Sequence, residues 1–388
     1  MRFSFKYIFY GCRNTFLSFG NLIKDYFLTI KYNIFIIKDK SVIELQLDKF
    51  SDKTLVLLNH FGGGTEKYIR QNFYRGDYIH LTQCNYHNGF CYCLHILETN
   101  KRLYFDKTTL PNIISQRLKG IIVNSLVGFS DETTLLNQLT TVKKNNKSIF
   151  LLYLVHDFHS ICPSVHLYYG DCYCKMECTK CGNEEYRRIA PERQKRWFSF
   201  LSVCDEIRTF SLSSKKLLLS IYPNLIEQQI SVVPHDMTYC TFEPLVIEKH
   251  SKNRIAIIGT IISICKGMIV VKDFLHYCIN KDINLYLIGT LCKDYIVNAP
   301  NIHYLGKYKS QDLKNILQFN KINAVFFPSV LPETFSYLIH ELMIMQIPIV
   351  GFDIGAQGEC LSSYKYGLTL PINAPNEEIY KALISLLK

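Results

Sequence analysis

Glu333-Thr334-Phe335-Ser336-Tyr337-Leu338-Ile339-His340-Glu341 is the stretch on which the reading of this chain turns. It lies between two apolar runs, Ala324-Val325-Phe326-Phe327 and Ile347-Pro348-Ile349-Val350. The pattern predicts strand, short loop, helix, strand. Glu333 then falls near the start of the helix, and Glu341 about two turns later on nearly the same face. Carboxylates so spaced, at the carboxyl edge of a parallel sheet, can hold two hydroxyl-bearing parts of one ligand. The competing reading on spacing alone is a Glu333 that merely favours a helix N-terminus and a solvated Glu341.

The wider chain is compatible with such a sheet. It has 388 residues, 48% hydrophobic and 13% aromatic, enough for two domains with substantial cores. The formal charge is +11 and uneven: residues 1–200 hold 27 Lys and Arg against 17 Asp and Glu, and residues 201–388 hold 17 against 16. A basic first half calls for an anionic partner, such as lipid headgroups or a lipid-diphosphate acceptor. No nucleic-acid-binding module is recognisable. The 15 Cys are irregularly spread, and most, like Cys204, Cys278 and Cys292, sit singly in apolar runs. No signal peptide is evident and no stretch reaches the ~18 uncharged apolar residues that span a bilayer. The expectation is a reducing, cytoplasmic protein with free thiols. Residues 1–50 form a basic, aromatic extension, read either as a helix lying on the inner face of the membrane or as a helix and hairpin packed on the first domain.

Strand Leu55–Leu58 runs into Asn59-His60-Phe61-Gly62-Gly63-Gly64-Thr65 before a helix. Glycines there let backbone approach a ligand and aim helix N–H groups at it, although a glycine turn needs no ligand. Strands around Tyr78–Leu81, Leu103–Phe105, Gly120–Asn124 and Ser148–Val155 continue in an alternating α/β pattern, which predicts a doubly wound parallel sheet over a domain at 51–240. Val155-His156-Asp157 closes the run Ile149–Leu154, so His156 faces the crevice or is a satisfied structural histidine. Cys162, Cys172, Cys174, Cys178 and Cys181 form a Cys-rich insertion (162–181), open to a structural zinc or to a loop that shapes a binding site. Residues 186–200 read as a basic helix, Ile207–Ser211 as the last strand unit of this domain, and 241–252 as a linker with Pro244. Ile255–Gly259 opens a second domain at 253–388, followed by Lys266-Gly267 at a helix start, where Lys266 can neutralise a diphosphate. Leu285–Gly289 and Ile302–Gly306 are its next strands.

The Glu333–Glu341 spacing, with Pro328-Ser329, Pro332 and Pro348-Ile349-Val350-Gly351-Phe352-Asp353-Ile354-Gly355-Ala356 around it, resembles the donor-site signature of retaining, family 4-like glycosyltransferases (glycosyl transferases group 1) with the GT-B fold, of the bacterial surface-polysaccharide type. The resemblance covers roughly residues 54–385 and is strongest over 255–361. It implies two Rossmann-like domains facing across a cleft, an N-terminal acceptor domain and a C-terminal nucleotide-sugar donor domain. The implied activity is hexosyl transfer from a nucleotide sugar to a hydroxyl of a glycan or lipid-linked glycan, in capsule- or lipopolysaccharide-type synthesis. No metal is implied. By resemblance Glu333 contacts the donor sugar, Glu341 the ribose, Lys266 the diphosphate and His156 the sugar or acceptor. Gly62, Gly63, Gly64, Gly259, Thr334, Phe335 and Ser336 complete the donor site. The family has an Arg directly after the first glycine of the second domain, where this chain has Thr260, so one diphosphate-binding cation is missing or supplied elsewhere. A non-catalytic GT-B protein that binds glycan or a partner synthase, and a GT-B nucleotide-sugar epimerase, are the other readings.

Overall fold

A computed structural model describes residues 50–387 apart from 51, 60–62, 87–88, 115–117, 170–171, 175–176 and 248–252. The extension at 1–49 and Gly62 therefore lie outside the described residues. Two sheets organise the chain, one of eight strands and one of six.

The first sheet is centred on β1 (Thr54–Leu57), whose residues are almost all buried. It pairs in parallel with β2 (Tyr78–Tyr86) on one side and β5 (Gly120–Val123) on the other. Beyond β5 lie β6 (Phe150–Leu154), β9 (Glu206–Thr209) and β10 (Ile230–Val232), all parallel. On the other edge the expected helical alternation breaks down. β3 (Gly89–Ile96) and β4 (Lys101–Phe105) follow β2 as an antiparallel meander with no helix between them. Connections this short cannot cross over the sheet, so the strands can only reverse. This edge of the sheet is therefore mixed rather than doubly wound.

Helices cover both faces. α1 (Gly63–Asn72) packs Tyr68 and Ile69 with Val56, Leu58, Ile122, Leu152, Leu154 and Phe210. The other face is larger. It takes α2 (Leu110–Ile114), α3 (Glu132–Asn145) and α4 (Glu184–Leu201), with Trp197 and Phe200 fully buried. β7 (Tyr168–Tyr169) and β8 (Cys172–Tyr173) form a small hairpin within the Cys-rich insertion. α5 (Leu212–Ile221) follows β9 and is capped by Ser211.

The second sheet has the order β13–β12–β11–β14–β15–β16 and is parallel throughout. Its strands are β11 (Asn253–Ile261), β12 (Ile283–Leu291), β13 (Ile302–Gly306), β14 (Ala324–Phe327), β15 (Ile349–Phe352) and β16 (Gly367–Leu370). The order reverses between β11 and β14, the switch point where open α/β sheets bind ligands. α6 (Met268–Cys278) and α10 (Asn376–Ser385) cover one face; α7 (Leu313–Phe319) and α8 (Tyr337–Ile344) cover the other. α9 (Gly355–Ser363) sits at the carboxyl edge against α5 of the first unit. Residues 233–247 leave β10 and run along the second unit, where the Leu245 N–H donates to the Met345 carbonyl at 2.8 Å. Among the described residues no helix is long and apolar enough to cross a membrane.

Candidate active site

The loop between β14 and α8 carries the first site carboxylate. The sequence predicts Glu333 at the start of the helix; the helix instead begins at Tyr337, capped by Ser336. The loop is held open from behind. The Glu333 N–H donates to Gln357 Oε1 at 3.0 Å, and the Glu333 carbonyl accepts from the Ala356 N–H at 2.8 Å. Those bonds spend the Glu333 backbone groups on α9, so they cannot serve a helical turn.

Lys266 lies in the short turn Ile264–Lys266 ahead of α6. Its Nζ donates to Glu333 Oε1 at 2.8 Å, and Ser329 Oγ donates to the same oxygen at 3.3 Å. Burial works against the Lys266 charge, but the adjacent Glu333 carboxylate holds its pKa above the ordinary lysine value. Gly267 makes the turn: it sits at φ +83°, and a Cβ there would lie 2.1 Å from the Pro328 carbonyl oxygen.

The pair stands where two cavities meet. One, of about 180 Å³, is bounded by Gly64, His156, Asp157, His235 and Thr334 as well as Lys266 and Glu333. The other, of about 310 Å³, runs to Gly259, Thr260, Ser329 and Ser336 at the switch point. A third, of about 110 Å³ and mostly apolar, lies between the ends of β11, β12 and β13. Both larger cavities draw Gly64 from the first unit, so they belong to the cleft between the units. Gly64 approaches closely: a Cβ on it would stand 3.1 Å from the Tyr337 ring.

His156 lies two residues past the end of β6 on the first unit. It stacks on Phe210 at 4.2 Å, and its Nε2 is buried without a hydrogen-bond partner among the described residues. Burial, then the neighbouring His235, push its pKa well below the ordinary histidine value. Asp157 is anchored elsewhere, accepting from Ser125 Oγ at 2.6 Å and from the His159 N–H at 2.9 Å. Thr334 crosses the cleft, its hydroxyl donating to the His156 carbonyl at 3.2 Å. Phe335 is sandwiched between His235 at 4.3 Å and His340 at 4.2 Å.

Glu341 is not gathered with Glu333. It is 5% exposed and lines neither of the two larger cavities. Its Oε1 accepts from Ser310 Oγ at 2.8 Å and Tyr239 Oη at 3.0 Å. Lys67 of α1 lies 3.9 Å from the same oxygen and 3.4 Å above the Tyr239 ring. Desolvation lowers the Lys67 pKa, although Glu341 opposes the shift.

Lys67, Tyr239, Ser310 and His235 were not singled out as site residues from sequence. A basic residue on the helix after a glycine turn is a usable signal for Lys67. For the other three the signal is spatial only.

The zinc reading of the Cys-rich insertion finds no ligand set. Among the described residues, no three His, Cys, Asp or Glu side chains are grouped to hold a metal ion. Cys162 is buried in the first core, whereas Cys178 accepts from Gln194 Nε2 at 3.2 Å. The Cys172 side chain lies outside the described ones. Outside the insertion, Glu132 accepts from Trp197 Nε1 at 2.7 Å and pairs with His159 at 2.5 Å and Arg193 at 3.3 Å.

The fold of two Rossmann-like units recurs in solved structures. Anabaena HepE in complex with UDP is similar at 12% identity, over 86% of this chain and 90% of that one, with a TM-score of 0.57. Sucrose-phosphate synthase from Thermosynechococcus elongatus matches at 12%, over 86% and 90%, with a TM-score of 0.54. The lipopolysaccharide outer core galactosyltransferase WaaB in its apo form matches at 12%, over 86% and 91%, with a TM-score of 0.53. No curated protein matches the chain. The fold is GT-B. Residues 252–388 match the family model glycosyl transferases group 1.

Proposed function

We propose that this protein moves a hexosyl group from a nucleotide sugar to a hydroxyl of a growing glycan, with retention of anomeric configuration. Its setting would be synthesis of a bacterial surface polysaccharide, of capsule or lipopolysaccharide type. The observation that carries the reading is the Lys266–Glu333 pair at the junction of the two cleft cavities, at 2.8 Å.

In this reading residues 253–388 bind the donor and 51–240 the acceptor. Lys266 and the turn at the start of α6 stabilise the diphosphate as it departs. Glu333 fixes the sugar and Glu341 the ribose. Glu341 first exchanges its contacts with Tyr239 and Ser310, or shares them with the ribose. Gly63 and Gly64 let the first unit close on the donor, with Gly62 in the same turn, and His156 positions the sugar or acceptor. Gly259, Thr334, Phe335 and Ser336 shape the donor walls. The bond from the anomeric carbon to the phosphate oxygen breaks, and a bond to the acceptor oxygen forms on the same face. The acceptor proton passes to the departing phosphate, so no protein base is needed. Closure excludes water and favours transfer over hydrolysis. The basic surplus of residues 1–200 supports an anionic acceptor or membrane surface as partner.

A panel of nucleotide sugars scored by thermal shift tests the reading. HepE was captured with UDP and glucose, which makes uridine nucleotides the first to try. A donor at 100 times its Kd should add about 2.7 kcal/mol of stability. One clear stabiliser, lost in Glu341→Ala, supports the donor site; stabilisation by no donor overturns it.

A further inference from the structure

His235 follows β10 at the crossing between the two units. It is 6% exposed, and both its ring nitrogens are buried without a hydrogen-bond partner among the described residues. Its neighbours are rings. Phe335 stacks on it at 4.3 Å and Phe210 meets it edge-on at 4.3 Å; Tyr68 lies at 4.6 Å, Tyr337 at 5.0 Å and His156 at 5.2 Å. It also lines the 180 Å³ cavity that holds the Lys266–Glu333 pair.

An aromatic slot of this kind would be filled as well by phenylalanine. Each buried, unsatisfied polar atom costs about 1–3 kcal/mol, so two on one ring are a standing cost in the empty protein. Nitrogen at this position is explained if something entering the cavity displaces the rings that cover it and bonds to it. The ring is neutral: burial, then His340 and Lys67, push its pKa down to about 3. A neutral imidazole offers one donor and one acceptor. That pattern suits a hydroxyl, which itself donates and accepts, better than a phosphate, which wants donors only. His156, with its own unpartnered Nε2, stands beside it on the same wall.

We propose that His235 hydrogen-bonds a hydroxyl of the sugar being transferred, and so helps to set which sugar the protein accepts. The inference rests on the donor-site reading above and names a residue that reading does not use. Sites built to bond a substrate hydroxyl reject analogues in which it is missing or misplaced far more strongly than apolar pockets do.

The test uses the full chain with His235→Phe, which keeps the stacked ring, and His235→Asn, which keeps a donor and an acceptor. Calorimetry with UDP, GDP and ADP identifies the nucleotide; the corresponding glucose, galactose and mannose conjugates then report on the sugar. His235→Phe should bind the bare nucleoside diphosphate like the wild type. It should bind the preferred nucleotide sugar about tenfold more weakly, some 1.4 kcal/mol, and lose discrimination between sugars epimeric at one carbon. His235→Asn should recover part of both. Without ligand, His235→Phe should melt no lower than the wild type, because it removes two orphaned nitrogens. Unchanged sugar affinity and discrimination in His235→Phe overturns the proposal while leaving the donor site standing. A His235→Phe chain that melts lower or does not fold shows a structural histidine and overturns it too. A wild type that binds none of these probes overturns the donor-site reading, and this inference with it.

Discussion

Each unit sends a glycine-bearing turn to the cleft, and the two turns are built in opposite ways. Gly267, in the second unit, has φ +83° and is packed so tightly that a Cβ would lie 2.1 Å from a neighbouring carbonyl oxygen. Gly63, in the first, has φ +72° and, among the described residues, nothing within 4 Å of where a Cβ would stand. One turn is part of a finished scaffold that holds Lys266 against Glu333. The other leaves room, as a wall that must approach a ligand requires. The same division runs through the polar groups. The second unit brings a made ion pair to the cleft, whereas His156 of the first unit and His235 at the crossing bring nitrogens without a hydrogen-bond partner among the described residues. Lys266 and Glu333 satisfy each other within the second unit, whereas these ring nitrogens are left unsatisfied among the described residues.

The comparison breaks most directly at the ion pair. Lys266→Ala and Glu333→Ala should each leave the fold intact and lower kcat/KM for transfer by about 10²–10³-fold, the scale of losing one electrostatic contact to the developing charge. Steady-state transfer to a glycan acceptor measures it. Wild-type-like turnover in either folded variant would show that the pair only braces the loop.

A half-buried carboxylate of the first unit offers the contrast, because it serves the scaffold. Burial opposes the charge of Glu132, but His159, Arg193 and Trp197 outweigh it and bring the carboxyl from 4.5 down to about 2. A depressed carboxylate contributes stability that is fully present above the unfolded value and is lost as pH falls through the folded one. The drop of roughly two pKa units corresponds to about 3 kcal/mol, lost between about pH 5 and pH 2. Urea melts across that window should show a steeper loss in the wild type than in Glu132→Gln. Parallel pH profiles would mean that the network contributes nothing on its own.

How far the sequence reveals this division follows from what each unit is made of. β11, β12, β14 and β15 are continuous apolar runs closed by glycine or proline, and a parallel, doubly covered sheet requires such runs. They are legible without coordinates. β3 reads Gly-Phe-Cys-Tyr-Cys-Leu-His-Ile, a mixed run in which neither period stands out, so the sequence does not mark it as a strand. The sequence places Glu333 and Lys266 just after strand ends, and the structure brings the two side chains together, yet the sequence predicts Glu333 near the start of a helix that its bonds to α9 forbid. His235 could not be weighed at all: its burial depends on Phe335 and Tyr337, a hundred residues later in the chain.

The glycine turns themselves can be compared by substitution. Gly267→Ala must relieve both a left-handed backbone and a collision with Pro328, and should cost about 2–3 kcal/mol of stability. Gly63→Ala meets only the backbone penalty, about 1 kcal/mol. Thermal melts of the two variants check the order. Equal losses would mean that the first turn is as fully packed as the second.

The smallest effect sharpens how the two units meet. Glu359 of α9 accepts from the backbone N–H groups of Leu212 and Ser213 at 3.1 and 2.7 Å, so a carboxylate of the second unit sits on the N-terminus of α5 in the first. Such a contact combines two charge-assisted hydrogen bonds with the helix dipole. It lies on α9, away from the residues that line the two larger cavities. Glu359→Gln keeps the shape and one acceptor but loses the charge, for about 1 kcal/mol. If closure of the units is part of turnover, that loss should appear as a roughly fivefold fall in kcat/KM, with the affinity for bare nucleoside diphosphate unchanged. If it appears instead as a lower melting temperature at full activity, the contact holds the units together without governing their closure.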